Sequence, residues 1–246
     1  MEVWVSFPSR DSPNTGRSIV NYDPSHPIGP QLHAILRQQI IRNALPAGTQ
    51  ISETEVAKNF GISRQPVREA FIKLAQEGLI EIRPQRGTVV RKIDAGEVLD
   101  ARFVREAVEA DIMKLLAAEV PPGVVSDLRR QLDEQRRAAE RSPAEFIQAD
   151  ETFHRTLADA AGKVNVWDVL QGLKSQMDRV RFLSFNPMRY DTLIEQHGRI
   201  VDAIEKNDVR GAELAAREHL RTVLEDLPLI MRANPDVFTD APAAAG

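Results

Sequence analysis

The fold of this chain is decided by residues 46–90, which read PAGTQISETEVAKNFGISRQPVREAFIKLAQEGLIEIRPQRGTVV. Ser52 and Glu55 have the spacing of a capping box, and Ser63 marks the N-cap of the next helix after a glycine turn. Two short β-prone runs around a Pro/Gly loop follow and predict a hairpin. An apolar helical stripe over residues 32–45 precedes this stretch. The order of helix, helix-turn-helix and hairpin predicts a winged helix-turn-helix.

The rest of the chain predicts a mainly α protein that carries an all-α helical bundle behind the winged helix-turn-helix. We predict a disordered extension over residues 1–27 and a winged helix-turn-helix over residues 28–93. An all-α bundle follows over residues 94–232, and a disordered tail over residues 233–246. Proline, glycine and asparagine breaks divide the bundle into six predicted helices, at about 94–119, 123–140, 143–161, 164–185, 189–206 and 209–232.

Composition excludes several classes of protein. The chain has no cysteine, so it has no disulfides, thiolate metal sites or cysteine nucleophiles. No run approaches the roughly 20 apolar residues of a membrane helix, and the first residues do not resemble a signal peptide, so we expect a cytoplasmic protein. Residues 1–92 carry 12 Lys and Arg against 8 Asp and Glu, whereas residues 93–246 carry 20 against 28. This asymmetry suggests that the first part approaches a polyanion.

The start of the third helix carries the candidate DNA-reading residues. In a helix-turn-helix the first residues of the recognition helix reach base edges, and Arg64 and Arg68 lie four residues apart on one helix face. An Arg fork can pair with guanine through two hydrogen bonds, and Gln65 can contact adenine or phosphate. Contacts to the DNA backbone are predicted for the remaining candidates, Thr54, Ser63, Arg86 and Gly87. The alternative interpretation is that the two arginines simply lie on a solvated helix face.

Three of the five histidines fall on predicted buried stripes of the bundle. Asp150 and His154 are spaced to hold one ion from a single helix, and His197 and His219 approach from two other helices. This donor set predicts one divalent transition metal per chain, which is zinc, with nickel and manganese as alternatives. Hydrogen-bonded core histidines are the competing interpretation.

The first bundle helix places two arginines on a stripe with core residues. Arg102 and Arg105 can donate paired hydrogen bonds to a carboxylate or phosphate, so an anionic metabolite that bridges metal and arginine is the predicted effector. Ion pairs with glutamates of the same helix, or a dimer interface, explain these arginines equally well. Asn165 and Arg181 are further candidates for the effector pocket.

Residues 46–70, with LAQEGLI at 74–80 and the glycine at 87, resemble the reader domain of GntR family regulators. The resemblance implies homodimers on palindromic double-stranded DNA, with Arg64 and Arg68 as DNA-contacting arginines. Residues 94–226 resemble the FCD domain of the FadR branch in its metal-binding form, whose ligand pattern matches the Asp-x-x-x-His pair and the two later histidines. Six predicted helices resemble the VanR-type subgroup.

These observations predict a DNA-binding transcription regulator, a repressor in most of this family, whose operator affinity responds to a small organic acid at a metal site. Two alternatives stay open at this point. One is a regulator that senses metal alone. The other is a metal-dependent hydrolase or lyase that uses Glu151 or Glu195 as a base, but we do not expect an enzyme, because a winged helix-turn-helix would then have no purpose.

Overall fold

The computed structural model describes residues 2–5, 18–23, 25–183 and 187–239. It divides into two compact units. The first ends at Ile93 and takes in the segment after Pro235, and the second runs from Asp94 to Pro235. Among the described residues both units are mainly helical, which confirms the predicted mainly α class.

The first unit contains short strands and three helices within its described residues. They are β1 Glu2–Val5, β2 Ser18–Asn21, α1 Ile28–Ile41, β3 Gln50–Ile51, α2 Glu53–Phe60, α3 Arg64–Gln76, β4 Ile80–Arg83 and β5 Gly87–Val90. An antiparallel sheet in the order β3-β5-β4 forms the wing, with Arg83 opposite Gly87 at its tip. Gly61 takes a φ of 64° between α2 and α3, and this left-handed conformation permits the tight turn. The predicted winged helix-turn-helix is therefore present.

The core of this unit is built from the predicted apolar stripes. Leu36 of α1, Phe60 of α2 and Phe71 of α3 have at most 1% of their surface exposed, and Leu79 and Val90 close the core from the wing. Burial of these large side chains supplies most of the stabilisation of such a small unit. The packing fixes the outer face of α3 toward solvent.

Several local predictions for this unit differ from the structure. Two strands pair within the predicted disordered extension, and β3 was not predicted, because two- to four-residue strands become visible only through their pairing partners. Ser52 and Ser63 occupy the predicted N-cap positions but form no capping hydrogen bond through their side chains. Phe238, in the predicted disordered tail, is buried and forms a parallel bridge with Ile93. Burial of its apolar ring stabilises an ordered backbone at this position.

The second unit is a helical bundle within the described residues. Its helices are α4 Ala95–Ala118, α5 Val124–Arg141, α6 Pro143–Ala160, α7 Val164–Leu173, α8 Ser175–Leu183, α9 Pro187–Glu205 and α10 Val209–Ala233. Asp94 caps α4 by accepting from the amides of Gly96 and Glu97, and Ser142 caps α6 with Pro143 in the first turn. None of the described helices is long and apolar enough to cross a membrane.

Seven helices, rather than the predicted six, make up the described part of this bundle. The predicted helix over 164–185 breaks at Lys174, whose ammonium group is buried and contacts Glu151 of α6 and Asp178 of α8. A buried lysine needs carboxylate partners, and the break brings this one to them. The prediction of six helices was wrong, and the VanR-type assignment that rested on it loses its support.

Candidate metal centre and DNA-reading face

The four predicted metal ligands come together in the interior of the second unit. Asp150 and His154 lie one turn apart on α6, His197 lies on α9 and His219 lies on α10. All four side chains are buried, and one ligand atom from each lies within 4.8 Å of the others. Residues from three helices therefore form one compact donor cluster, as their spacing in the sequence predicted.

The histidine nitrogens converge on a single point. His219 Nε2 lies 3.2 Å from His197 Nε2 and 3.2 Å from His154 Nε2. Asp150 Oδ1 lies 3.6 Å from His197 Nε2, and Oδ2 lies 4.0 Å from His154 Nε2. Metal–nitrogen bonds of about 2.1 Å place two ligand nitrogens roughly 3.0 to 3.4 Å apart in octahedral or tetrahedral geometry. The two nitrogen–nitrogen separations of 3.2 Å fall within this range, whereas the Asp150 oxygens lie slightly farther away.

The outward nitrogen of every histidine in the cluster has a buried oxygen beside it. The Nδ1 partners are Glu109 Oε2 for His154 at 2.8 Å, Gln135 Oε1 for His197 at 2.8 Å and Gln196 Oε1 for His219 at 3.1 Å. The two glutamine oxygens accept hydrogen bonds, which places the protons of His197 and His219 on Nδ1, whereas Glu109 lies beside His154 Nδ1 without hydrogen-bond geometry. The Nε2 lone pairs of His197 and His219 then face each other at 3.2 Å, and such an arrangement is repulsive unless a cation lies between them.

The protonation states of the cluster suit a metal. Burial lowers the pKa of His197 to about 3, and burial together with the neighbouring histidines lowers the pKa of His219 well below its usual value. Burial alone would raise the pKa of Asp150, but Arg181 and the histidines lower it well below its usual value. At neutral pH His197 and His219 are neutral and Asp150 is ionised, which are the forms that bind metal.

Two buried ion pairs connect the cluster to arginines. Arg181 Nη2 lies 2.6 Å from Asp150 Oδ2, and Arg105 Nε donates to Glu109 Oε1 at 2.5 Å. Burial raises the pKa of Glu109, but Arg105 and His154 lower it overall to about 2. Two carboxylates and two guanidinium groups therefore balance one another in the interior.

A pocket that is partly open to solvent lies against this cluster, and its cavity volume is about 60 Å³. Most of its lining is apolar and aromatic. Its charged lining residues are Arg105, Arg181 and Asp226, and His219 of the cluster also forms part of the wall. Two of the four predicted effector residues thus line a cavity that touches the candidate metal site.

The other two predicted effector residues lie elsewhere. Arg102 forms an ion pair with Glu106 on the same helix, and Asn165 is exposed on α7. Neither belongs to the lining of the cavity, since Asn165 is exposed and the partly buried Arg102 pairs with Glu106. The alternative of an ion pair within the helix therefore describes Arg102, and it also describes the pair of Arg105 with Glu109.

All predicted DNA-reading residues are exposed on the first unit, namely Thr54, Ser63, Arg64, Gln65, Arg68, Arg86 and Gly87. Arg64 and Arg68 lie in the first turns of α3, and both contact the carboxylate of Glu53 at the start of α2, at 2.9 Å and 3.5 Å. The exposed glycine at the wing tip has a φ of 86°, a conformation that favours glycine. The structure therefore presents these side chains on solvent-facing elements of the first unit.

Sequence reasoning missed the residues that orient the cluster and the arginines. Gln135 follows Leu128 and Leu132 on a buried stripe of α5, so an amide in an apolar register was the available signal. Gln196 directly precedes His197, and Glu53 lies in the first turn of α2. No local pattern assigned a partner to either residue.

Comparison with known proteins supports this description. The model of the bacterial regulatory proteins of the gntR family matches residues 30–90, and the FCD domain model matches residues 100–222. The chain is 38% identical over 220 residues to the HTH-type transcriptional repressor RspR of Escherichia coli, covering 89% of this chain and 96% of that protein. It is 40% identical over 208 residues to an HTH-type transcriptional regulator of Streptomyces ambofaciens, covering 84% and 88%.

Solved structures share the fold. Escherichia coli McbR/YncC matches with a TM-score of 0.70 at 18% identity, covering 85% of this chain and 99% of that one. A Rhodococcus sp. RHA1 structure described as a GntR transcriptional regulator matches with a TM-score of 0.62 at 27% identity, covering 84% and 98%. The named relatives are transcription regulators rather than enzymes, which confirms the expectation that this chain is not a hydrolase or lyase.

Proposed function

The chain belongs to the gntR family of bacterial regulatory proteins, with an FCD domain of the FadR-like type, and from this premise we propose that it is a metabolite-responsive transcriptional repressor. Its operator affinity is controlled by a small anionic metabolite, a carboxylate, bound beside a divalent metal in the second unit. The observation that carries the proposal is the convergence of three histidine Nε2 atoms whose Nδ1 atoms all lie beside buried oxygens.

The donor set supports one transition metal per chain, held by Asp150, His154, His197 and His219. Three imidazoles and one carboxylate suit zinc, with nickel and manganese as alternatives. When bound, the metal would act as a Lewis acid toward the carboxylate of the effector. Asp150 Oδ1 is buried and accepts no hydrogen bond from the described residues, so it fits the role of a ligand.

Charge supports an anionic effector. Without a metal, Asp150 and Glu109 balance Arg105 and Arg181, and a divalent ion adds two positive charges to this buried group. Buried charge without compensation is unfavourable, so an entering carboxylate offsets that excess. Arg105 and Arg181 line the cavity, and their guanidinium groups can each donate two parallel hydrogen bonds to it. Arg102 and Asn165 are not part of this proposal.

We assign the reader to residues 28–93 and the sensor to residues 94–232. Arg105 lies on α4, the helix that begins two residues after the reader ends at Ile93. A ligand that binds differently to two positions of α4 shifts the population of the two positions, and equal binding shifts nothing. The carboxylate therefore changes operator affinity through the placement of the readers.

We further propose that the regulator is a homodimer on a palindromic operator in the cytoplasm, the compartment of bacterial DNA. The second unit presents large apolar side chains to solvent, among them Leu99 and Phe103 on α4 and Val169 on α7, which are 40%, 65% and 68% exposed. Exposed apolar side chains of this size favour burial against a second copy. Two readers related by a two-fold axis match two half-sites about one helical turn apart.

At each half-site Arg64 and Arg68 contact base edges, and Gln65 contacts an adjacent base. Backbone contacts come from Thr54, Ser63, Arg86 and Gly87. Their common exposure supports this assignment. The arginines at the start of α3 occupy the positions from which a recognition helix reaches base edges.

The proposal is tested by metal analysis of the purified protein before and after chelation, together with retention of genomic DNA fragments at fixed salt. We expect about one transition metal per chain, with specific DNA retention that added carboxylates reduce. The variant with His197→Ala and His219→Ala loses the metal and the response to carboxylates but keeps DNA retention. The exposed histidine variant His26→Ala serves as the matched control.

Other results separate the parts of the proposal. DNA retention that follows metal concentration and ignores every carboxylate tested supports a metal-only sensor. DNA retention by purified wild-type protein that holds no metal overturns the metal part, and the histidines are then ordinary core residues. Loss of sequence-specific retention in the wild-type protein overturns the regulatory function itself.

A further inference from the structure

The DNA-reading face contains an acidic side chain whose role the proposed contacts do not explain. Glu53 is the first residue of α2, and its carboxylate is 23% exposed beside arginines that are 59% and 55% exposed. Negative charge on a surface that meets phosphates opposes binding of any DNA sequence. A carboxylate at this position therefore needs a compensating role.

The geometry identifies what the carboxylate does in the unbound reader. Arg64 Nη2 donates to Glu53 Oε2 at 2.9 Å, and Arg68 contacts both oxygens at 3.5 Å. One carboxylate thus holds two guanidinium groups from successive turns of α3. Burial raises the pKa of Glu53, but hydrogen bonds from the two arginines lower it overall below its usual value, so the group is ionised at neutral pH.

We propose that Glu53 is a specificity-determining residue that aligns Arg64 and Arg68 for base edges and penalises their use on phosphates. The inference rests on the proposed DNA contacts of these two arginines. On an arbitrary sequence the arginines must leave Glu53 to reach phosphates, and an uncompensated carboxylate then remains near the backbone. On the operator they meet base edges from the positions that Glu53 already gives them, so less rotamer freedom is lost.

Substitution Glu53→Gln removes the charge and keeps the size of the side chain. Binding is measured by fluorescence anisotropy on two duplexes of about 20 base pairs: one selected from a random library by the wild-type protein, and one of shuffled sequence. Salt is varied over about 50 to 200 mM, because the slope of affinity against salt counts released counterions. Glu55→Gln, an exposed residue of the same helical turn, is the matched control with the same change in charge.

We expect Glu53→Gln to bind the shuffled duplex more tightly, with a salt slope steeper by about 0.9, because one more arginine charge reaches phosphates. The ratio of operator to shuffled affinity should fall roughly tenfold, the size of one disturbed bidentate base contact. Glu55→Gln should keep the wild-type ratio. Glu53→Ala should show the same loss as Glu53→Gln, and circular dichroism should report an unchanged fold for both variants.

The inference is overturned if Glu53→Gln keeps the wild-type ratio of operator to shuffled affinity. It is also overturned if Glu55→Gln lowers that ratio equally, since the effect then comes from the general loss of negative charge. The variant with Arg64→Ala and Arg68→Ala separates this failure from failure of the proposed function. Should that variant still bind the operator normally, the proposed contacts and the inference fall together. Should it lose the operator while Glu53→Gln keeps the ratio, only the inference fails.

Discussion

Replacement of Glu109 tests whether the buried carboxylate behind His154 serves the metal centre. Its Oε2 lies 2.8 Å from His154 Nδ1, and its Oε1 accepts from Arg105 at 2.5 Å. Glu109→Gln alone leaves the buried guanidinium group of Arg105 without its carboxylate, which costs about 3 to 5 kcal/mol of folding free energy. Replacement of both partners, with Arg105→Gln and Glu109→Gln, avoids this cost and is the informative variant.

The expected size of the effect follows from the role of a carboxylate beside Nδ1 of a metal-binding histidine. A carboxylate that accepts from Nδ1 fixes the tautomer of the imidazole and makes Nε2 a better donor to a metal. Replacing such a carboxylate by a neutral amide, which is a weaker acceptor, weakens metal binding by about 10- to 100-fold, which equals roughly 1.4 to 2.7 kcal/mol. The double variant should therefore keep its thermal stability within about 1.5 kcal/mol and lose at least tenfold in zinc affinity.

Competition of the metal-free protein with a chromophoric zinc chelator measures this affinity directly. Glu106→Gln is the control, since Glu106 is a carboxylate of the same helix that pairs with arginines and contacts none of the four candidate ligands. Wild-type zinc affinity in a folded double variant would refute the role of Glu109. An equal loss in the control would show that the effect comes from α4 as a whole.

Three other predictions concern pH, DNA and assembly. The folded-state pKa values of His197 and His219 lie below that of an unfolded histidine, so the unfolded state binds more protons. The metal-free protein should therefore lose about 1.4 kcal/mol of stability per pH unit for each of these histidines as pH falls below about 6.5. Urea unfolding at several pH values checks this, and a stability that does not change with pH contradicts it. Arg64→Lys keeps the charge and loses the fork, so operator affinity should fall by about 1 to 3 kcal/mol with an unchanged salt slope, as anisotropy titrations can show. Phe103→Asp replaces an exposed aromatic side chain of α4 with a charged one and should shift the sedimenting species from dimer toward monomer. Asp100→Asn, a change at an exposed residue of the same helix, should leave the dimer intact.

Sequence patterns predicted the elements whose periodicity is long and clean. The helix over 164–185 was the exception in the bundle, because apolar residues continue in phase through Lys174 while the backbone breaks there. At the break Lys174 contacts Glu151, which lies on another helix and is 23 residues away in sequence. A local window does not contain that information, and the same is true of β3, which exists only through its pairing with β5.

The ligand cluster was predictable because its members carry a double signal. Asp150 and His154 share a helix face by their spacing, and His197 and His219 stand out as polar residues on buried stripes. Arg181 was found for a weaker reason and lies at the cavity through its pair with the aspartate. The orienting glutamines and glutamates could not be predicted, since their role is defined by which ring nitrogen they face in three dimensions.

Under the proposed function, the two arginines of the cavity link effector binding and metal binding in both directions. Arg105 holds Glu109, which holds His154, and Arg181 holds Asp150. An anion that binds these arginines therefore acts on carboxylates that serve the metal centre, while a divalent ion raises the positive charge that attracts the anion. Linkage requires the two effects to be equal: a metal that tightens carboxylate binding by a given factor is itself bound more tightly by that factor when the carboxylate is present. Metal titrations at increasing carboxylate concentration, performed with a monocarboxylate that hardly chelates in solution, should show this shift in the wild-type protein and lose it when Arg105 and Glu109 are both replaced by glutamine.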